Sequence, residues 1–125
     1  MNKRVLAIED DRDLFSLFDM ILKMAGFDVE VVQDGAKAFE RLSGSDLPEA
    51  VTLDLHLPHV SGNEIYTMME ERGEAHRVLV VSADVQEVQN YLLRGANAVS
   101  KPVPMDNLIQ RVSEIVEHSL VLGVA

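Results

Sequence analysis

The sequence predicts one α/β domain built as a doubly wound, three-layer sandwich. Short apolar runs of strand length alternate with segments whose apolar residues recur at helical spacing, and this βα unit occurs five times. The apolar runs have no polar face, which is typical of parallel strands covered by helices on both sides. Right-handed crossovers then favour a parallel five-stranded sheet, for which we expect the order 2-1-3-4-5.

Each strand and helix can be placed along the chain from its apolar spacing and its stop signals. The strands are predicted at Arg4–Ile8 and at residues 27–32, 50–53, 77–81 and 96–100. The helices that follow them are predicted to end near Gly26, Ser43, Gly73 and Gly95, and the last helix carries Leu108, Val112 and Ile115. Met20, Met24, Met68 and Met69 fall on these helices and are expected to fill the core.

Composition limits the kinds of ligand and compartment. The 125 residues carry a formal net charge of −10, which argues against nucleic acid or an anionic membrane as a direct ligand. With no cysteine there is no thiol chemistry, and no apolar run approaches the roughly 18 residues that would span a membrane. We therefore expect a cytoplasmic protein, monomeric, with a basic partner or a divalent cation as ligand.

Polar residues gather where the predicted strands end. Glu9 and Asp10 follow the first strand, and Asp54 ends the third. In the expected strand order these two strands are neighbours, about 4.8 Å apart, so the three carboxylates should converge. Because like charges this close repel, we expect a shared cation, and oxygen ligands open to water suit Mg²⁺, with Mn²⁺ as an alternative.

Two further strand ends supply groups that bind phosphate. Lys101 follows the fifth strand and provides a point charge, while Ser82 follows the fourth and provides a hydroxyl donor. An acidic metal cradle, a lysine and a hydroxyl would together neutralise a phosphoryl group that moves onto a carboxylate. The pattern thus indicates nucleophilic attack by Asp54 and an aspartyl phosphate product.

Four motifs follow one another at the predicted strand ends: Glu9-Asp10-Asp11, the D-x-x-x-P-x-x-x-G run from Asp54 through Pro58 to Gly62, Ser82-Ala83, and Lys101-Pro102. Together, in this order, they resemble the receiver domain of bacterial two-component response regulators, the CheY-like family. The resemblance covers residues 4 to about 118. It implies a flavodoxin-like fold and phosphorelay signalling, with residues 1–125 expected to be a receiver domain without an output domain, either stand-alone or cut from a longer protein.

The resemblance also assigns roles to the residues that match its motifs. It implies that Asp54 accepts phosphoryl from a sensor histidine kinase or a histidine phosphotransfer protein. Asp10 and Asp54 would ligate Mg²⁺ directly, Glu9 through water, and His56 through its backbone carbonyl.

Lys101 and Ser82 also receive roles from the resemblance. Lys101 would pair with Asp54 and then with the phosphoryl oxygens, and the bond to Pro102 would be cis. Ser82 would move inward to the phosphoryl group. The protein would then be a signalling switch with slow autodephosphorylation, acting on a downstream protein, and not a turnover enzyme.

Two positions depart from the family pattern. The aromatic residue usual three positions before the lysine is replaced by Ala98, so the aromatic switch is absent and Tyr91 is a candidate substitute. A histidine two residues after the acceptor is uncommon, and we expect His56 to alter the lifetime of the phosphoryl group.

Other readings of the chain are weaker. Ala98 favours the main alternative, a phosphorylation-independent interaction module on the same fold. A haloacid dehalogenase-like phosphatase would need a second aspartate at position 56. A zinc site at His56 and His59 is disfavoured, because Pro58 prevents a helical pair and no cysteine assists.

Overall fold

A computed structural model describes residues 3–124; residues 1, 2 and 125 of the expected domain lie outside the described residues. The strands are β1 (Arg4–Ile8), β2 (Asp28–Val32), β3 (Ala50–Asp54), β4 (Val78–Ser82) and β5 (Asn97–Ser100). The helices are α1 (Arg12–Met24), α2 (Gly35–Ser43), α3 (Gly62–Glu71), α4 (Val85–Leu93) and α5 (Met105–Val124), with a 3-10 turn at Ala75–Arg77.

The five strands form one parallel sheet in the order β2-β1-β3-β4-β5, which confirms the predicted fold. Ile8 lies beside Leu53, Asp54 beside Val81, and Ser82 beside Ser100. The carboxyl ends of these four strands therefore meet along one edge of the sheet. In doubly wound sheets this edge is where ligands bind.

Two apolar layers hold the sheet between the helices. One layer joins α2, α3 and α4 to inward residues such as Leu6, Leu53 and Val80. The other joins α1 and α5 to Val5 and Leu79. Successive strand residues alternate between the two layers because strand side chains point to opposite faces. None of the described helices has the length and apolar character needed to cross a membrane.

Several details differ from the expectations. β3 extends one residue further than predicted and includes Asp54, whereas β4 begins at Val78 because Arg77 belongs to the 3-10 turn. The core assignment of the methionines was wrong for Met20 and Met24, which are 52% and 77% exposed. Both lie on the solvent side of α1. They were misassigned because helical spacing alone does not define the width of the buried stripe.

A partly buried ion pair anchors the start of β1 to the segment before β3. The Arg4 guanidinium donates to both carboxylate oxygens of Glu49, at 3.2 and 3.0 Å, and the Arg4 amide donates to Glu49 Oε1 at 2.9 Å. Burial alone would raise the pKa of Glu49, but these hydrogen bonds from Arg4 outweigh it and lower the pKa. Ser119 of α5 also donates to the Glu49 carbonyl, at 2.7 Å.

We expect Glu49→Gln to lower the free energy of unfolding at pH 7 by about 2 kcal/mol, since it leaves the Arg4 charge partly buried without its partner. Because the folded pKa of Glu49 lies below its unfolded value, this stabilisation is present above the unfolded pKa and is lost as pH falls through the folded pKa. Urea unfolding of both proteins between pH 7 and pH 3 measures the difference. Asp46→Asn removes the exposed partner of the same arginine and should cost less. Equal losses for the two variants would contradict the prediction.

Candidate functional site

Three acidic residues converge at the carboxyl edge of the sheet. Glu9, Asp10 and Asp54 each place a carboxylate oxygen within 4.8 Å of those of the other two. Glu9 and Asp54 are buried, at 1% and 4% exposure, while Asp10 faces solvent. The convergence predicted from the strand order is therefore found.

The backbone explains why the carboxylates meet. Glu9 continues the strand pairing of β1, since its amide donates to the Val32 carbonyl at 3.1 Å. Asp54 is the last residue of β3, and its Oδ1 accepts from the His56 amide at 3.1 Å. That bond folds the chain back after the strand and keeps the His56 peptide next to the acidic cluster.

Lys101 reaches the same cluster from the end of β5. Its Nζ lies 2.8 Å from Glu9 Oε1 and 3.4 Å from Asp54 Oδ2. The expected pairing with Asp54 is present, but Glu9 is the nearer partner. The Lys101–Pro102 peptide is cis, as predicted, and the Lys101 amide donates to the Ser82 carbonyl at 2.9 Å.

Burial and mutual contact set the charges of this cluster. Burial raises the pKa of Glu9 to about 8, and its contact with Asp54 acts in the same direction. Burial opposes ionisation of Asp54 as well, but its contacts with Glu9, the His56 amide and Lys101 leave its pKa lowered. Lys101 also overcomes a burial penalty, because its two acidic partners raise its pKa. A cation bound beside these two buried carboxyls would favour ionisation of both, because it would offset their mutual repulsion.

The donor set fits a hard divalent cation. Glu9 Oε2 is buried and, among the described residues, has no hydrogen-bond partner. Unpaired carboxylate oxygens are costly when buried and are the ligands that Mg²⁺ prefers. Three carboxylates leave several coordination positions for water or phosphate oxygens.

Ser82 makes its side-chain hydrogen bonds at the start of α4, and none among the described residues joins it to the acidic cluster. Its hydroxyl donates to Glu87 Oε1 of α4 at 3.1 Å and accepts from the Asp84 amide at 3.0 Å. The imidazole of His56 lies on the same glutamate oxygen, with Nε2 at 2.7 Å. Glu87 was not predicted from the sequence, since a glutamate in the first turn of a helix ordinarily interacts only with the helix dipole.

The loop after β3 is held by two further contacts that the sequence did not reveal. His59 has a left-handed backbone, with φ of 71°, and its Nδ1 lies 2.5 Å from Asp34 Oδ2. Asp34, to which no role was assigned, also caps α2. The Gly35 amide donates to the Pro58 carbonyl at 3.1 Å. The proline of the motif therefore anchors this loop to the start of α2.

Gly62 lets α3 approach the backbone of β3. Its amide donates to the Leu55 carbonyl at 2.9 Å. A Cβ at this position would lie 2.5 Å from Leu55 Cα and would also meet the Asp54 carbonyl oxygen. The glycine at the end of the motif thus allows a close packing that no side chain would tolerate.

The position of the missing aromatic residue is buried. Ala98 lies in the apolar layer of α2, α3 and α4, together with Tyr91. The Tyr91 ring packs edge-on against Tyr66, with centroids 4.9 Å apart, and its hydroxyl donates to Asn63 Oδ1 at 2.5 Å. Tyr91 therefore lies between α3 and α4, and its role as a substitute switch stays a prediction.

Comparison with known proteins identifies the family. A family model described as the response regulator receiver domain matches residues 5–113. The response regulator MprA of Mycolicibacterium vanbaalenii is 31% identical over 122 residues, which cover 95% of this chain and 52% of that protein. The MprA of Mycobacterium ulcerans is 30% identical with the same coverage. The chain spans about half the length of these curated relatives.

Solved structures share the fold. A CheY-like response regulator receiver domain protein from Methanospirillum hungatei superposes with a TM-score of 0.82 at 20% identity, covering 96% of this chain and 98% of that one. The receiver domain of a sensor histidine kinase from Pseudomonas aeruginosa superposes with a TM-score of 0.79 at 20% identity, covering 94% and 99%. That structure has a magnesium ion coordinated in its active site cleft.

Proposed function

This chain belongs to the response regulator receiver domain family, and we propose that it is a signalling switch in which Asp54 accepts a phosphoryl group from a phosphohistidine donor. The observation that carries the proposal is the convergence of three carboxylates and Lys101 at one edge of the sheet. The low pKa of Asp54 keeps its carboxylate ionised as a nucleophile.

In the proposed reaction, a carboxylate oxygen of Asp54 attacks the phosphorus of the donor. The new O–P bond forms while the P–N bond to the donor imidazole breaks, and the imidazole leaves with that electron pair and takes a proton from solvent. Lys101 Nζ, 3.4 Å from Asp54 Oδ2, is placed to bind a phosphoryl oxygen as negative charge gathers there. In the later hydrolysis water attacks the same phosphorus, the O–P bond to Asp54 breaks, and inorganic phosphate leaves with the Asp54 carboxylate restored.

Magnesium would be held by Asp10 and Asp54 as direct ligands, by Glu9 through water and by the backbone carbonyl of His56. The unpartnered Glu9 Oε2 supports this assignment. When bound, a divalent cation neutralises charge on the phosphoryl oxygens. The magnesium in the P. aeruginosa receiver domain is consistent with it. Mn²⁺ also accepts oxygen ligands and is the expected alternative.

The partners we propose are proteins. The donor is a sensor histidine kinase or a histidine phosphotransfer protein, and the phosphorylated form acts on a downstream protein target. A groove of about 470 Å³ beside Lys101 is lined by Leu14, Leu17 and Pro102 and offers an apolar surface next to the site.

The charge of −10 opposes direct binding to nucleic acid or to an anionic membrane. We propose a cytoplasmic monomer with slow autodephosphorylation rather than a turnover enzyme, in which His56 alters the phosphoryl lifetime.

We expect the protein to gain the mass of one phosphoryl group when it is incubated with acetyl phosphate and Mg²⁺. Intact-mass spectrometry measures the gain directly. Asp54→Asn should abolish the gain, because an amide is not a nucleophile here, and EDTA should suppress it. A gain that persists in Asp54→Asn would place the acceptor elsewhere and contradict the proposal.

The alternative function, a phosphorylation-independent interaction module, is favoured by Ala98 alone. It predicts that neither acetyl phosphate nor a phosphorylated histidine donor adds mass, although Mg²⁺ still binds. The same experiment therefore separates the two functions.

A further inference from the structure

Glu87 is an acidic residue beside the site that the proposed phosphoryl transfer does not use. Its Oε1 lies 3.1 Å from Ser82 Oγ and 2.7 Å from His56 Nε2. The Glu87 side chain is only 25% exposed, and the His56 ring that covers it is 67% exposed. One carboxylate oxygen on α4 is thus held by groups from the ends of two strands, β3 and β4.

The donor capacity of the Ser82 hydroxyl is fully used in these contacts. The hydroxyl accepts a hydrogen bond from the Asp84 amide and donates its single proton to Glu87 Oε1. Among the described residues, no hydrogen bond joins Ser82 to Asp54. To donate to a phosphoryl group on Asp54, Ser82 must therefore first release the glutamate.

Both contacts of the hydroxyl lie at the beginning of α4. Asp84 is the N-cap of this helix and accepts from the amides of Gln86 and Glu87. If Ser82 turns inward, the Asp84 amide loses its acceptor and the Glu87 carboxylate loses its donor. Rotation of one side chain would thus remove two hydrogen bonds from the first turn of α4.

We propose that Glu87 is a positioning residue that holds Ser82 toward α4 until Asp54 is phosphorylated, and that its release transmits the event to α4. The inference rests on the proposed function and supplies a polar connection in a chain that has Ala98 where the family has an aromatic ring. We call the hydrogen bond between Ser82 and Glu87 the latch. His56 supports it, because the exposed imidazole of His56 binds the same oxygen of Glu87.

Beryllofluoride with Mg²⁺, an analogue of the aspartyl phosphate, tests the inference by its affinity for each variant. Glu87→Ala removes the competing acceptor and should tighten binding about tenfold, the effect expected from one charge-assisted hydrogen bond. Glu64→Ala is the matched control, because Glu64 holds the same first-turn position in α3 and its amide also faces the helix cap. It should leave the affinity unchanged.

Repeating the comparison in the Ser82→Ala variant distinguishes the effect of the hydrogen bond between Ser82 and Glu87 from simple charge repulsion by Glu87. In Ser82→Ala the latch is already absent, so adding Glu87→Ala should have no further effect. Tightening that persists without the hydroxyl would show that Glu87 acts only through its charge and would overturn the inference. Amide hydrogen exchange should also be faster in the first turn of α4 in Glu87→Ala and in Ser82→Ala than in the unaltered protein.

The outcomes distinguish the two proposals. A chain that gains no phosphoryl mass from either donor overturns the proposed function and this inference with it. A chain that is phosphorylated on Asp54, but whose Glu87→Ala variant binds beryllofluoride like Glu64→Ala, overturns the inference alone.

Discussion

Gly62→Ala is expected to destabilise the domain by about 3 kcal/mol, the upper part of the range for overpacking a core. The added Cβ would lie 2.5 Å from Leu55 Cα, and neither this atom nor the Asp54 carbonyl can move without shifting β3. For a domain of this size the loss corresponds to a fall in Tm of roughly 10 °C. Thermal unfolding followed by circular dichroism measures it.

The chain provides a matched control for this substitution. Gly44 ends α2 with an ordinary φ of −74°, and a Cβ there has only one neighbour, the Arg41 carbonyl oxygen at 3.6 Å. Gly44→Ala should therefore leave Tm unchanged or raise it slightly, since alanine restricts the unfolded chain. Equal Tm values for the two variants would show that α3 moves away from β3 at little cost. The steric account of the motif glycine would then be wrong.

Lys101→Met is expected to slow phosphorylation of Asp54 by acetyl phosphate about 100-fold, the effect typical of losing one preorganised donor to a developing charge. Methionine keeps the unbranched stem but removes the ammonium group that lies 2.8 Å from Glu9 Oε1 and 3.4 Å from Asp54 Oδ2. The time course of phosphoryl mass gain, measured with saturating Mg²⁺, reports the rate.

Lys37→Met is the control for lost charge, because Lys37 is exposed on the first turn of α2. It should keep the rate of the unaltered protein. Lys101→Arg should recover only part of the rate, since a planar guanidinium does not reproduce a point charge in this position. A Lys101→Met protein that is folded and phosphorylated at the normal rate would remove Lys101 from the mechanism.

The regular geometry of parallel strands explains why the positions of Glu9, Asp54 and Lys101 could be predicted. Glu9 and Asp54 stand at the ends of apolar runs, and the alternation of strands and helices requires those ends to share one edge of the sheet. Once β1 and β3 are neighbours, the carboxylates must converge, and Lys101 follows from the same reasoning at β5. Backbone spacing alone decides these positions.

Side-chain partners across the loops depend on the tertiary structure. Glu87 was missed because its contact with Ser82 depends on how α4 leaves the sheet. The contact of His59 with Asp34 likewise joins two loops that lie 25 residues apart in the chain. Lys101 was placed correctly, but its nearer partner, Glu9, follows from side-chain conformations that the sequence pattern does not contain.

Periodicity and chain direction can be read from the sequence, and they lead to the α/β class, the strand order and the gathering of Glu9, Asp10, Asp54 and Lys101. Three features appear only in the folded protein: Met20 and Met24 face solvent, Gly62 touches β3, and Ser82 donates a hydrogen bond to Glu87. Those features depend on helix rotation and loop paths, which are set by packing between segments distant in the chain and not by the local order of residues.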